Sequence, residues 1–213
     1  MSNDPYLHEN LYRGKDLAAK IATLPICICG VGALGSILCD TLARQGFKTL
    51  KVIDFDRVEV HNLNTQLYGM DDVGQLKVTA LQQKIYRATK IQVQTESKKL
   101  ENNNVAKLLK NYSLIIDCFD NFEARNLLTS YCASGKLDCL HGGMFEGYGE
   151  VVWNEVYKVP KNAVGLDVCS YPLARNLATF VVSIMAEELQ NFVGTGKKRS
   201  HSITLGDFKI KGY

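Results

Sequence analysis

The sequence predicts an α/β fold, a Rossmann-like and mostly parallel sheet with helices on both faces and antiparallel late strands. Three observations predict it. Short apolar runs alternate with segments of helical periodicity along most of the chain. The first apolar run ends in Gly30-Val31-Gly32-Ala33-Leu34-Gly35, between a strand pattern and a helix pattern. The last strand patterns are joined by turns too short for a parallel crossover, so they run antiparallel.

Residues 6–22 read as an N-terminal helix, followed by a nucleotide-binding core over 25–159. Pro25 precedes the buried strand Ile26–Cys29, and Ala33–Gly46 carries Leu34, Ile37, Leu38, Leu42 and Ala43 on one helical face. Leu50–Phe55 is a second strand, Gly74–Ala88 a helix and Ile91–Thr95 a third strand. Val105–Asn111 is a short helix, Ser113–Cys118 a buried strand, and Phe122–Ala133 a helix. Leu137–His141 and Glu150–Val156 are late strands. Residues 160–172 are a loop between Pro160 and Pro172, and 173–213 hold a long helix and a hairpin turning at Gly206-Asp207. The chain reads as a single domain over 1–213.

Composition narrows the class. The 213 residues are 46% hydrophobic and 22% charged, ordinary for a globular chain and wrong for long disorder or coiled coil. No apolar run approaches a membrane span, and the polar start MSNDPYLHENLYRGKD does not resemble a secretory signal. A net charge of +3 is too small to imply a nucleic-acid partner. The seven cysteines are scattered and odd in number, which fits a reducing, cytoplasmic compartment. With no C-x-x-C pair, a structural zinc site is not expected.

Chemistry enters with the glycine motif. Gly30 and Gly32 let the backbone turn tightly and approach a ligand, and Gly35 allows close helix–strand packing. The helix N-terminus then favours phosphate or ribose. Asp54 ends the next strand nineteen residues after Gly35, where a carboxylate can hold ribose hydroxyls. This pair indicates a nucleotide without separating NAD from ATP.

Three further strings follow in order. They are Asp54-Phe55-Asp56-Arg57-Val58 through Asn62-Leu63-Asn64-Thr65-Gln66, then Gly74-Gln75-Leu76-Lys77, then Asp117-Cys118-Phe119-Asp120-Asn121 with Arg125. Together with the glycine motif they resemble the ThiF/MoeB/HesA superfamily of ubiquitin-activating-type (E1-like) adenylating enzymes, over roughly residues 10–195. The resemblance implies ATP and Mg²⁺ as cofactors, bound around Gly30, Gly32, Gly35, Asp54, Asn62, Lys77 and Asn121. Lys77 would neutralise phosphate charge and Asp120 would hold the magnesium. The residues also allow structural roles: a solvated lysine, an Asx-turn at Asn62, and a helix cap at Asp120. Lys98-Lys99-Leu100 stands where the family's backbone meets adenine.

One position departs from the pattern. The family's N-L-x-R-Q reads with Thr65 in place of the phosphate-binding arginine. Threonine donates one hydrogen bond and carries no charge. Arg57 nearby, or Arg13 reaching a second subunit, are candidate substitutes.

The resemblance also implies a partner, a ubiquitin-like or sulfur-carrier-like protein ending in Gly-Gly. Its carboxylate would be adenylated, with a conjugating enzyme as a further possible partner and a homodimer as the expected assembly. Cys169, in the loop before the long helix, matches the crossover-loop cysteine of compact members of the family and is the candidate thioester nucleophile. The other cysteines read as apolar filler. Gly142-Gly143 could give a guest peptide close backbone approach or form a plain turn, and Lys197-Lys198-Arg199 is a solvated run or a docking patch. His141 reads as structural. Leu173–Val193 could serve core or dimer. Two alternative functions stand beside the first. One is a non-catalytic nucleotide-binding subunit, which Thr65 favours; the other is an adenylating dehydratase acting on threonylcarbamoyladenosine in tRNA. An NAD-dependent dehydrogenase is disfavoured by Lys77 and Asp120-Asn121.

Overall fold

The computed structural model describes residues 3–160 and 172–213. Five strands are parallel: β1 (Ile26–Cys29), β2 (Leu50–Ile53), β3 (Gln94–Glu96), β4 (Leu114–Asp117) and β5 (Asp138–Phe145). Three more, β6 (Tyr148–Trp153), β7 (His201–Thr204) and β8 (Lys209–Gly212), extend one edge antiparallel. The order is β3-β2-β1-β4-β5-β6-β7-β8. The predicted mixed α/β sheet is therefore observed. Connections leave β1 toward β2 on one side, while β4 lies on the other. A crevice opens at that reversal, above the C-terminal ends of β1 and β4.

The central strands are buried on both faces, as parallel strands are. Their residues sort by period two. Ile26 and Ile28 enter one core cluster, Cys27 and Cys29 the other. β4 sorts likewise, with Leu114 and Ile116 opposite Ile115. The larger cluster is covered by α3 (Ala33–Arg44), α4 (Lys77–Thr89) and α7 (Arg175–Thr195). The smaller is covered by α5 (Val105–Leu108) and α6 (Phe122–Gly135), and it also takes Cys132 and Cys139. These four thiols are fully buried small apolar groups, as expected.

The structure revises several element bounds. The single N-terminal helix is two, α1 (Leu7–Arg13) and α2 (Lys15–Thr23), broken at Gly14, whose φ of +85° favours glycine. The helix read from Gly74 begins at Lys77, because the preceding residues pair with the end of the β2 excursion. Gly142-Gly143 is no turn and lies inside β5. A side chain at Gly142 would strike the Met185 sulfur at 2.5 Å, so this glycine lets α7 close on the sheet. Val181, Met185 and Leu189 are buried there, which makes α7 a core helix. In the basic run, Lys198 pairs with Asp138 and Glu155, and Arg199 reaches Glu188 at 3.0 Å. Two of its three charges thus fasten the chain to itself. No described helix is long and apolar enough to cross a membrane.

Candidate active site

Two loops meet at the crevice. Gly30 follows β1 with φ +88°, and a Cβ there would lie 2.8 Å from the Cys118 carbonyl oxygen after β4. Gly35 is tighter still, since its Cβ would fall 1.9 Å from the Gly30 carbonyl oxygen. These two glycines are required by contact. Gly32 has open space: a Cβ added there would meet nothing nearer than Gln66 Nε2, at 3.9 Å. Open backbone at that point suits the approach of a ligand.

Asp54 is tied into the same turn. Its Oδ2 accepts from the Val31 backbone N–H at 2.8 Å, and its Oδ1 from that of Asp56 at 2.8 Å. Burial raises its carboxyl above the ordinary value, opposed by the charge of Lys77 and by these two N–H donors. Lys77 reaches the site through a short pairing of backbone. The Val58 N–H donates to the Gln75 carbonyl at 2.9 Å, and the Lys77 N–H to that of Asp56 at 2.9 Å. The buried Lys77 ammonium then lies 3.0 Å from the exposed Asp56 carboxylate. Asp56 stands in the motif string, but its pairing with a residue twenty-one positions away has no local signal.

The segment 62–68 folds back over the glycine turn. The Tyr68 hydroxyl donates to the Val31 carbonyl at 2.8 Å, and the Leu67 N–H to Ser36 Oγ at 3.1 Å. Asn62 is buried and its Oδ1 accepts from the Glu59 N–H at 2.9 Å, which is the turn-stabilising role. Thr65 is buried within the segment, and Gln66 Oε1 is buried without a hydrogen-bond partner among the described residues. Over this segment lies Arg175, the first residue of α7. Its Nη1 donates to the carbonyls of Asn64 at 3.4 Å and Gln66 at 3.2 Å. Sequence reasoning missed it, since more than a hundred residues separate the partners.

On the β4 side the capping role belongs to Asn121 rather than Asp120. Asn121 Oδ1 accepts from the Ala124 N–H at 2.9 Å. Asp120 stays exposed, with a long 3.5 Å contact to Asn121 Nδ2. Below it, Arg125 is buried and fully engaged. It donates to the Phe119 carbonyl at 2.6 Å, the Gly142 carbonyl at 2.8 Å and the Tyr157 hydroxyl at 2.6 Å. Asp117 lies 3.8 Å from Arg125 and 2.8 Å from His141 Nδ1. Burial alone would raise the Asp117 carboxyl, but Arg125 and His141 outweigh it and hold it below the usual range. Burial also pushes the Tyr157 phenol up to about 12, so it stays protonated. His141 stacks on Tyr157 at 3.7 Å between ring centroids. This network bolts the loop bearing Asp120 to β5, and it gives His141 the structural role read from the sequence.

A groove of about 530 Å³ beside this loop is lined in part by Lys99, Leu100, Glu123 and Leu127. It includes Lys99 and Leu100 of the segment expected to meet adenine. Arg13 is committed elsewhere, to Glu187 at 2.9 and 2.7 Å and to Glu9 at 3.2 Å. Arg57 donates to the Gly74 carbonyl at 2.7 Å and pins the same small pairing that positions Lys77. Within this chain Arg57 is not held at Thr65, and the place expected for Arg13 is a second subunit's site. Cys169 lies outside the described residues. Among the described residues, no three His, Cys, Asp or Glu side chains form a metal-ligating group.

Comparison with known proteins agrees with the motif order. The ThiF family model matches residues 8–195. The molybdopterin-synthase adenylyltransferase of Salmonella typhimurium is 30% identical over 150 residues, covering 68% of this chain and 60% of that protein. The ubiquitin-like modifier-activating enzyme 5 of Drosophila virilis is 29% identical over 140 residues, covering 60% of this chain and 35% of that protein. The chain thus spans 60% or less of the length of these curated relatives. Among solved structures, E. coli MccB with MccA-N7isoASN superposes with a TM-score of 0.86 at 16% identity, covering all of this chain and 72% of that one. At that identity the likeness is one of fold.

Proposed function

This chain belongs to the ThiF family, and we propose that it activates the C-terminal carboxylate of a small ubiquitin-like or sulfur-carrier-like protein by ATP-dependent adenylation. The observation that carries the proposal is the union at one crevice of the glycine turn, the Asp54 carboxylate bonded into it, the buried Lys77 paired with the exposed Asp56, and the Asp120 loop. The names of the relatives, adenylyltransferases and a modifier-activating enzyme, support the same chemistry.

In this reading Gly30, Gly32 and the start of α3 receive the nucleotide, and Asp54 holds the ribose. The groove at Leu100 takes the adenine. Lys77, Asn62 and Asn121 face the phosphates, so that Lys77 offsets charge that grows as the carrier's carboxylate attacks the α-phosphorus and pyrophosphate leaves. Asp120 fits a magnesium site, because it is an exposed hard oxygen donor with only a weak internal contact. Magnesium is commonly held by one or two carboxylates with phosphate and water completing the shell. Bound there, the ion would withdraw charge from the phosphates. The Cys169 thiolate would then attack the acyl carbon of the adenylate, forming the thioester and releasing AMP. The carrier's Gly-Gly end, a following conjugating enzyme, a homodimer and a cytoplasmic setting belong to the same proposal. The six described cysteines, all free thiols, support a reducing compartment.

The test is ATP–pyrophosphate exchange with Mg²⁺ and candidate carrier proteins. Lys77→Ala should weaken ATP binding or turnover, and Asp120→Ala should remove Mg²⁺-dependent exchange. A reducible carrier adduct should vanish in Cys169→Ala while exchange continues. Titration calorimetry showing NAD bound more tightly than ATP would overturn the reading. Thr65 supports a second reading, a nucleotide-binding subunit that serves a competent partner. It predicts ATP binding without exchange for any carrier.

A further inference from the structure

We infer that Arg175 supplies the positive charge for the nucleotide's polyphosphate that Thr65 cannot, reaching the glycine turn from the start of α7. The inference rests on the reading of the crevice as an ATP site and assigns it one further binding residue.

The charge count of the crevice calls for a cation. Among the described residues, Asp54 and Asp56 meet one ammonium, Lys77, which already pairs with Asp56, while Asp120 is exposed and Lys98 and Lys99 by the groove pair with Glu96 and Glu123. Arg125 is spent on Asp117, Tyr157 and two carbonyls deeper in the fold. Within its own chain Arg13 pairs with Glu187 and Glu9, away from Thr65, and Arg57 holds the Gly74 carbonyl. A triphosphate brought against this set meets net negative charge unless another cation is close.

Arg175 is placed to be that cation. Its Nη1 donates to the carbonyls on both sides of Thr65. The guanidinium is therefore seated at the position that lacks the charge. The segment it holds is the one laid on the glycine turn through Tyr68 and Leu67, and the side-chain nitrogen of Gln66 lies by Gly32. Both carbonyl bonds use the same terminal nitrogen, and the residue is exposed. A guanidinium carries five N–H donors, so such an anchor leaves others for phosphate oxygens. Its backbone is fixed as well, because Leu173, two residues earlier, bridges to Glu146 at the β5–β6 turn and α7 packs on the sheet. Position 65 and Arg175 thus form one unit, with the backbone of the first residue steering the side chain of the second.

The experiment compares affinities for MgATP and for adenosine by titration calorimetry in wild type, Arg175→Ala, Arg175→Lys, Lys77→Ala and Arg175→Ala/Thr65→Arg. A charge-assisted contact to phosphate predicts that Arg175→Ala weakens MgATP about tenfold or more and leaves adenosine unchanged. Arg175→Lys should fall between. Thr65→Arg should restore MgATP affinity in the Arg175→Ala background, which a purely structural role for Arg175 would not permit. Equal loss for MgATP and adenosine, or no rescue, would overturn the inference. So would MgATP binding within twofold of wild type in Arg175→Ala while Lys77→Ala is impaired, with the ATP site itself left standing. Wild-type protein that binds neither MgATP nor adenosine overturns the proposed function first and the inference with it.

Discussion

Replacing Arg125 by alanine should cost this protein about 3–5 kcal/mol, the range for breaking a buried ion pair from one side. The structure explains the size. The guanidinium is buried, so its loss is not repaired by bulk water. Three acceptors lose a charged donor at once: the carbonyls of Phe119 and Gly142 and the Tyr157 hydroxyl. Asp117, fully buried, keeps His141 and the Phe119 N–H but loses the cation 3.8 Å away. For a chain of this size such a loss lowers Tm by about 6–20 °C. Urea unfolding read by circular dichroism measures it, with Arg44→Ala as control, since the pair of the exposed Arg44 with Asp40 lies at the surface and should be worth under about 1 kcal/mol. The pH dependence has a definite sign. In the wild type Asp117 is depressed, so its contribution is present above about pH 4 and is lost as pH falls through the folded value. In Arg125→Ala burial is no longer opposed by that cation, the carboxyl rises, and protonating it relieves the variant. The stability gap should therefore narrow from pH 7 to pH 4. The double variant Arg125→Ala/Asp117→Asn should cost less than the two single changes summed. A loss below about 1 kcal/mol with an unchanged urea slope, or a gap that widens on acidification, would refute the account of a charged pair.

Gly35→Ala should be strongly damaging, because its Cβ would overlap the Gly30 carbonyl oxygen at 1.9 Å, an atom of rigid backbone, with the Cys118 Cβ a further 3.3 Å neighbour. A loss of about 3 kcal/mol or more in urea unfolding, together with impaired MgATP binding, is expected; near-wild-type stability would contradict the packing role of this glycine. The thiols of Cys39 and Cys118 are raised by burial, that of Cys139 by burial and a hydrogen bond with the Cys132 thiol, and that of Cys29 by a hydrogen bond with the Cys27 thiol and by burial. Iodoacetamide at pH 8 should therefore leave these four unmodified in the folded protein and label them after urea unfolding. Mass spectrometry showing rapid labelling of Cys39 in the folded state would count against the packed core at α3.

The motifs are legible in the sequence because each rests on local chemistry. A glycine that must take φ +88°, an aspartate ending a strand and an asparagine capping a helix are constrained within a few residues. Periodicity starts the α4 helix too early, at Gly74, because its true limit is set by pairing with residues 56–58, which no local period reports. The cap of α6 falls one residue later than the sequence suggests, since Asp120 and Asn121 are both good caps and only the backbone decides between them.

By itself, then, the sequence determined the alternating α/β order, the glycine turn with Asp54, and the family to which the chain belongs. The tertiary structure alone decided which charges are free to act. It locked Arg13 to Glu187 and Arg125 to Asp117, joined Lys77 to Asp56, and laid Arg175 on the carbonyls beside Thr65. The physical reason is that strand and helix patterns follow from neighbours two to four residues apart, whereas an ion pair or a guanidinium seated on a distant loop is fixed by the approach of whole elements. Such contacts at long sequence separation leave no period for the sequence to show.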